Sequence, residues 1–100
     1  MRISYRVGNS TPYYVVVSTY SELSALLDNL LVKIHQGEHV FVGNEGTVSI
    51  NAVAEDVIRI ETKDPEEFKK WCADLLQKEY YIQMYYDKER QLYVGVATKK

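Results

Sequence analysis

The sequence predicts an α+β domain in which two helices pack on a mainly antiparallel β-sheet, with the elements in the order ββ-α-βββ-α-ββ. Two segments carry apolar residues at helical spacing behind a capping residue, and several short segments show strand periodicity. The turns between neighbouring strands are short, so these strands must pair antiparallel. All 100 residues fit one domain, which at this length can bury a core without a disulfide or a metal.

The first element is predicted to be a β-hairpin. Residues 1–7 alternate between apolar and polar side chains, which is the pattern of a half-buried strand, and turn-forming residues occupy positions 8–12. Residues 13–18 then form a continuous β-branched and aromatic run. Such a run is typical of a strand that is covered on both faces, so we expect neither face of this strand to be open.

Two helices are predicted from their capping residues and apolar stripes. In the first, at about residues 20–36, Thr19 and Glu22 form a capping box ahead of a leucine-rich stripe, and a glycine ends the helix. The second begins with Asp64 as the N-cap and Pro65 at the first helical position. The buried stripe expected for the second helix consists of Phe68, Cys72, Leu75 and Leu76.

The remaining strands are predicted from short apolar runs. The expected segments are a hairpin of residues 40–42 and 47–50, a connection at 51–55, a strand at 57–61, and a final hairpin of residues 80–86 and 91–97. In the final hairpin, alternation divides each strand between two faces. The side chains expected to face the core are Tyr80, Ile82 and Met84 with Leu92, Val94 and Val96.

Composition and charge narrow the classes of function. The formal net charge is −2, from 12 basic and 14 acidic residues, which is too small for binding nucleic acid through bulk charge, so we do not expect nucleic acid as a partner. The sequence has no long apolar stretch, so we expect no membrane association. Its one cysteine, Cys72, cannot form an internal disulfide, and we therefore expect a reducing, cytoplasmic location.

The string His35-Gln36-Gly37-Glu38-His39 has the spacing of the inverted zinc-peptidase motif, H-x-x-E-H. That chemistry requires both histidines on one face of a continuous helix, so that two imidazoles reach one ion. Gly37 stands at the point where the helix should end. We therefore interpret the two histidines as surface residues, and a metal-dependent hydrolase acting through His35, Glu38 and His39 is the alternative.

Physical arguments also count against a catalytic cysteine, a phosphate-binding loop and a serine nucleophile. Cys72 lies on the apolar stripe of the second helix, where a thiol has a raised pKa and reacts poorly. Gly43 and Gly46 lead into a predicted strand, whereas a phosphate-binding loop must lead into a helix. The serines have no nucleophile-elbow context. We predict a non-enzymatic protein with no cofactor.

Tyrosine is the distinctive residue of this sequence, because it supplies nine of the twelve aromatic side chains. If residues 80, 82 and 84 face the core, their neighbours face the other way, and we expect the glycine at position 95 to lie with them. Arginines occupy the outer side of the first strand. The candidate binding residues are Tyr81, Gln83, Tyr85, Tyr93, Arg2 and Arg6.

A sheet face that combines tyrosine and arginine suits protein–protein contact, because rigid rings bury a large area at low entropic cost. We therefore expect a small binding module, such as a regulator, adaptor or inhibitor of the kind encoded by phages and mobile elements. Its partner would be an unidentified protein, and a homodimer is a further option. The alternative is a small-molecule or nucleotide-binding protein that uses the same face, with a base stacked on tyrosine and phosphates near arginine.

Overall fold

The structure, a computed structural model, describes residues 1–44 and 57–99. Within these residues it contains one six-stranded sheet in the order β2-β1-β3-β5-β6-β4, and every neighbouring pair is antiparallel. The predicted α+β class is confirmed. The predicted strand at 47–50 and connection at 51–55 lie outside the described residues. The elements are β1 (Arg2–Val7), β2 (Tyr13–Val16), α1 (Tyr20–His35), β3 (Val40–Asn44), β4 (Val57–Thr62), α2 (Pro65–Gln77), β5 (Tyr80–Asp87) and β6 (Leu92–Lys99).

Both helices begin at the predicted caps. The Glu22 backbone N–H donates to Thr19 Oγ1 at 3.2 Å, and the Thr19 hydroxyl donates in turn to the Glu22 carboxylate. At α2, the Glu66 backbone N–H donates to Asp64 Oδ1 at 3.0 Å, and Pro65 occupies the first turn, where no backbone N–H is required. These bonds satisfy backbone donors that the first turn of a helix otherwise leaves unpaired.

The two helices pack side by side on one face of the sheet. Their apolar stripes meet β3, β5 and β6 in a single core. The largest fully buried side chains of this core include Leu23, Leu27, Leu30 and Ile34 of α1, Phe68 and Leu76 of α2, and Ile3, Val40, Ile82 and Met84 of the sheet. Neither helix covers the opposite face of the sheet, which we call the open face.

The orientation of β6 differs from the prediction. Residues paired directly across two antiparallel strands share a face. Met84 pairs with Gly95, and Ile82 pairs with Ala97, so it is the odd-numbered residues of β6 that face the helices. The predicted core positions Leu92, Val94 and Val96 were wrong: they lie on the open face. Val94 is fully buried there, because Tyr85 and Glu61 flank it on the two neighbouring strands.

The turn between β5 and β6 explains this difference. Asp87 pairs with Leu92 across a four-residue connection, and Asp87 Oδ1 accepts from the backbone N–H groups of Glu89 and Arg90. Gln91 takes a left-handed backbone conformation with φ 56°. The turn geometry therefore sets which residues of β6 meet β5. Because β6 is apolar on both faces, its hydrophobic pattern does not reveal this choice.

The expectation that both faces of the second strand are covered was also wrong. Among residues 1–44 and 57–99, β2 is an edge strand whose one partner is β1. Its side chains remain accessible: Tyr13 is 57%, Tyr14 54% and Val16 71% exposed. The apolar run continues to Val17, which is buried beyond the end of the strand.

Candidate binding face

The structure brings five of the six predicted binding residues to the open face. Pairing in the sheet places Arg2 and Arg6 on β1, and Tyr81, Gln83 and Tyr85 on β5, all on the side away from the helices. The strand between them, β3, joins these two groups into one surface.

Tyr93 is the exception, and the expectation that it joins this surface was wrong. It lies on the helix-covered face, is only 7% exposed, and stacks against Phe68 at 5.6 Å between ring centroids. Its hydroxyl forms a 2.6 Å hydrogen bond with His35 Nε2. Burial raises the pKa of Tyr93 above its usual value, which favours the neutral phenol. Tyr93 is therefore a core residue with a satisfied hydroxyl.

Each arginine of β1 lies on an aromatic ring. The guanidinium carbon of Arg6 is 4.4 Å from the centroid of the Phe41 ring, and that of Arg2 is 5.0 Å from the centroid of Tyr14. Cation–π contact of this kind holds a long side chain in place without neutralising its charge. Among the described residues, neither arginine forms an ion pair with a carboxylate.

Small residues beside Tyr81 determine where its ring lies. Gly43 of β3 is the direct neighbour of Tyr81, and a Cβ placed on Gly43 would collide with the tyrosine ring. The next neighbour, Ser4 of β1, is also small and is buried. The Tyr81 ring therefore lies over Gly43, in the space that a larger side chain there would fill. This packing fixes one of the predicted binding residues on the surface.

The other half of the open face carries charges that neutralise one another. Arg59 donates to the Glu61 carboxylate at 2.9 Å, and Arg90 pairs both with Glu61 at 2.8 Å and with Asp87 at 2.9 Å. The hydrogen bond from Arg59, together with the charge of Arg90, holds the pKa of Glu61 below its usual value, and the hydrogen bond from Arg90 does the same for the pKa of Asp87. A second Arg59 nitrogen donates to the Tyr85 hydroxyl at 3.3 Å.

Sequence reasoning missed four residues of this surface: Tyr14, Phe41, Arg59 and His39. The outward orientation of Tyr14 and Phe41 was not predictable, because both lie in apolar runs without alternation between polar and apolar residues. His39 stacks on the Tyr85 ring at 5.1 Å between centroids. From the sequence, His39 was considered only as a possible metal ligand.

The two histidines of the H-x-x-E-H string lie on opposite faces of the sheet. His35 ends α1 and stacks on Tyr86 on the helix-covered face, whereas His39 follows the turn and stacks on Tyr85 on the open face. Tyr85 and Tyr86 are consecutive in β5, so the sheet itself separates the two imidazoles. Both rings cannot reach one ion in this arrangement. Within residues 1–44 and 57–99, no three potential metal-ligating side chains come together.

Cys72 is buried in the core, as the sequence predicts. Burial raises the pKa of its thiol to about 12, so the nucleophilic thiolate is scarce near neutral pH. The residue therefore acts as a small apolar side chain between α2 and the sheet.

Comparison with known proteins adds no assignment: no family model, curated protein or solved structure matches this chain. In the part of the chain that the structure describes, neither helix is long and apolar enough to cross a membrane.

Proposed function

We propose that this chain is a small, non-enzymatic binding module that contacts a protein partner through its open face, as a cytoplasmic regulator, adaptor or inhibitor. One observation carries the proposal. The sheet face that the helices leave uncovered collects tyrosines and arginines, and the two arginines of β1 lie on aromatic rings without a carboxylate partner among the described residues.

The side chains on this face are those that contribute most to protein interfaces. Tyrosine and arginine are enriched among residues whose truncation costs more than about 2 kcal/mol of binding energy. Tyr81 is held over Gly43, and Tyr85 is held between His39 and Arg59, so both rings are ordered before a partner arrives. Pre-ordered rings lose little conformational entropy on binding, which leaves more of the contact energy as affinity.

The charge pattern indicates the chemistry of the partner. Arg59 and Arg90 already form ion pairs with the carboxylates of Glu61 and Asp87. By contrast, Arg2 and Arg6 have no carboxylate partner within residues 1–44 and 57–99. A partner that places carboxylates opposite β1, beside apolar groups opposite Tyr81, would complete these interactions. Nucleic acid is a weaker match, since its affinity comes from several phosphate contacts and the chain carries a net charge of −2.

The test compares three forms of the chain as immobilised bait in an extract of the source cells. The first is wild type, and the second carries Arg6→Ser, Tyr81→Ser and Tyr85→Ser on the open face. The third is a matched control with exposed α1 residues replaced, namely Asn29→Ser, Val32→Ser and Lys33→Ser. Circular dichroism confirms beforehand that all three are folded.

We expect the wild-type and α1-control baits to capture a protein from the extract that the open-face variant does not capture. Calorimetry with that purified protein should then show at least about a tenfold weaker Kd for the open-face variant, which corresponds to about 1.4 kcal/mol. Equal retention by all three baits would contradict the proposal.

Nucleotide binding by the same face is the second outcome that the test must distinguish. A thermal-shift screen against nucleotides serves this purpose, because a ligand at a hundred times its Kd adds about 2.7 kcal/mol of stability. A shift in wild type that the open-face variant loses, without any captured protein, would replace protein binding by the small-molecule alternative.

A further inference from the structure

Within the described part of the chain, the outer edge of β2 pairs with no other strand, and its backbone groups point outward in a defined register. Met1 and Val17 exchange two backbone hydrogen bonds, from Val17 N to the Met1 carbonyl at 2.7 Å and from Met1 N to the Val17 carbonyl at 2.9 Å. Bonded and non-bonded pairs alternate along an antiparallel ladder. Val15 therefore directs its N–H and C=O toward β1, whereas Tyr14 and Val16 direct theirs toward the free edge.

In the described part of the chain, the residues of β2 carry none of the sequence features that normally protect a sheet edge. Lysines, inward-pointing charges, bulges and prolines usually prevent unwanted pairing. β2 contains none of these, and the sequence from residue 7 to residue 21 carries no charged side chain. The opposite edge strand differs, since β4 carries Arg59 and Glu61. The two edges are thus unequal, and β2 is the one suited to accept another strand.

The sequence of β2 is also that of a covered strand, although the structure leaves it exposed. A continuous β-branched and aromatic run is typical of strands with neighbours on all sides. In this chain, Tyr13, Tyr14 and Val16 are each more than half exposed. Coverage from outside the chain would reconcile this pattern with its position.

We propose that β2 pairs antiparallel with β2 of a second copy, about a two-fold axis through Val15. In this register, Tyr14 of each copy faces Val16 of the other, and their outward N–H and C=O groups form two fully bonded pairs. The uncharged segment of residues 7–21 lies opposite the same segment of the second copy, so the paired strands bring no like charges face to face. The axis is perpendicular to the sheet, so the two open faces would form one continuous surface.

The expected dimer is reversible. Aromatic side chains bury ~150–250 Å² each when fully covered, so two half-exposed tyrosines, Val16 and the strand backbone would bury on the order of 400 Å² per copy. Interfaces below ~1,200 Å² in total belong to the weak, transient class. The proposal rests on other observations than the proposed function, because the dimer forms through the backbone edge of β2. Tyr14 lies at the margin of the open face, but Arg6, Tyr81 and Tyr85, which the open-face variant changes, are not part of the new strand pair.

A charge-swap experiment tests both the pairing and its register. One variant carries Tyr14→Lys and Val16→Lys, and the other carries Tyr14→Glu and Val16→Glu. Both positions are exposed, so folding should be preserved. In sedimentation velocity over a dilution series, wild type should move from monomer to dimer as its concentration rises. Each variant alone should remain monomeric, and the equimolar mixture should dimerise, because every lysine then faces a glutamate.

The control is Val57→Lys, which adds one lysine at a 55%-exposed position on the other edge strand and should leave dimerisation unchanged. Amide hydrogen exchange on wild type gives a second test that needs no variant. Exchange at Tyr14 and Val16 should slow as concentration rises, while the already bonded amide of Val15 changes less. A wild-type monomer at every concentration, or a dimer in which the Tyr14 and Val16 amides stay unprotected, would overturn the proposal. If wild type dimerises but the equimolar mixture of the lysine and glutamate variants does not, the proposed register is wrong.

Discussion

The two faces of this sheet carry aromatic clusters of similar composition and different physical role. The inner cluster, on the helix-covered face, consists of His35, Phe68, Tyr86 and Tyr93. The outer cluster, on the open face, consists of His39, Phe41, Tyr81 and Tyr85. Each contains one histidine, one phenylalanine and two tyrosines.

The difference between the clusters lies in what covers them. α2 presses Phe68 into the inner cluster, where it is fully buried, and Tyr93 pairs its hydroxyl with His35. Neither α1 nor α2 covers the outer cluster, whose rings instead pack against arginines and a glycine. The same residue types therefore stabilise the fold on one face and remain available for contact on the other. Matched substitutions on the two faces can measure this contrast.

The largest expected difference is between the two phenylalanines. Phe68→Ala should lower the free energy of unfolding by about 3–5 kcal/mol, because it leaves a cavity in the closed core. Phe41→Ala should cost at most about 1.5 kcal/mol, since a partly exposed ring loses part of its burial and one cation–π contact. Urea unfolding followed by circular dichroism measures both. Equal losses would show that the open face is packed as tightly as the core.

The two strand glycines should give the next largest difference. A Cβ on Gly95 would lie 2.9 Å from Ile60 Cγ1 and 3.2 Å from Phe68 Cε1, so Gly95→Ala overpacks the core and should cost about 1–3 kcal/mol. Gly43→Ala meets the Tyr81 ring, which can turn toward solvent.

We therefore expect Gly43→Ala to change the free energy of unfolding by less than about 1 kcal/mol and to weaken partner binding, because Tyr81 is displaced. Thermal unfolding of the two variants and calorimetry with the partner separate these effects. If Gly43→Ala were the more destabilising of the two, the assignment of Tyr81 to the open surface, where its ring has room to turn, would be wrong.

Removing one hydroxyl from each face should give the smallest effects. Tyr93→Phe removes the group that pairs with His35 Nε2 and should cost about 0.5–1.5 kcal/mol. Tyr85→Phe removes an exposed acceptor at 3.3 Å from Arg59 and should stay within about 0.5 kcal/mol of wild type. Denaturant midpoints at matched protein concentration resolve this difference. If Tyr85→Phe lowers the free energy of unfolding more than Tyr93→Phe does, the expected order of the two variants is wrong.

Local signals in the sequence determined both helices, their caps, and the inward alternation of Tyr80, Ile82 and Met84. Capping residues act on backbone groups within four positions, and an apolar stripe requires only a regular helix, so neighbouring residues contain the necessary information. The presence of Arg2 and Arg6 on the same sheet face as the tyrosines of β5 was less local. It depends on strand order, because β3 lies between β1 and β5 and pairs with both.

The tertiary structure alone decided the position of Tyr93 and the exposure of β2. Both strands are apolar at nearly every position, so periodicity does not distinguish their two faces. For β6, the turn at residues 88–91 sets the pairing with β5 and moves Tyr93 into the core. For β2, strand order leaves it at the edge of the sheet. Register and strand order depend on contacts between residues far apart in the chain, and a local pattern that is the same on both faces does not encode them.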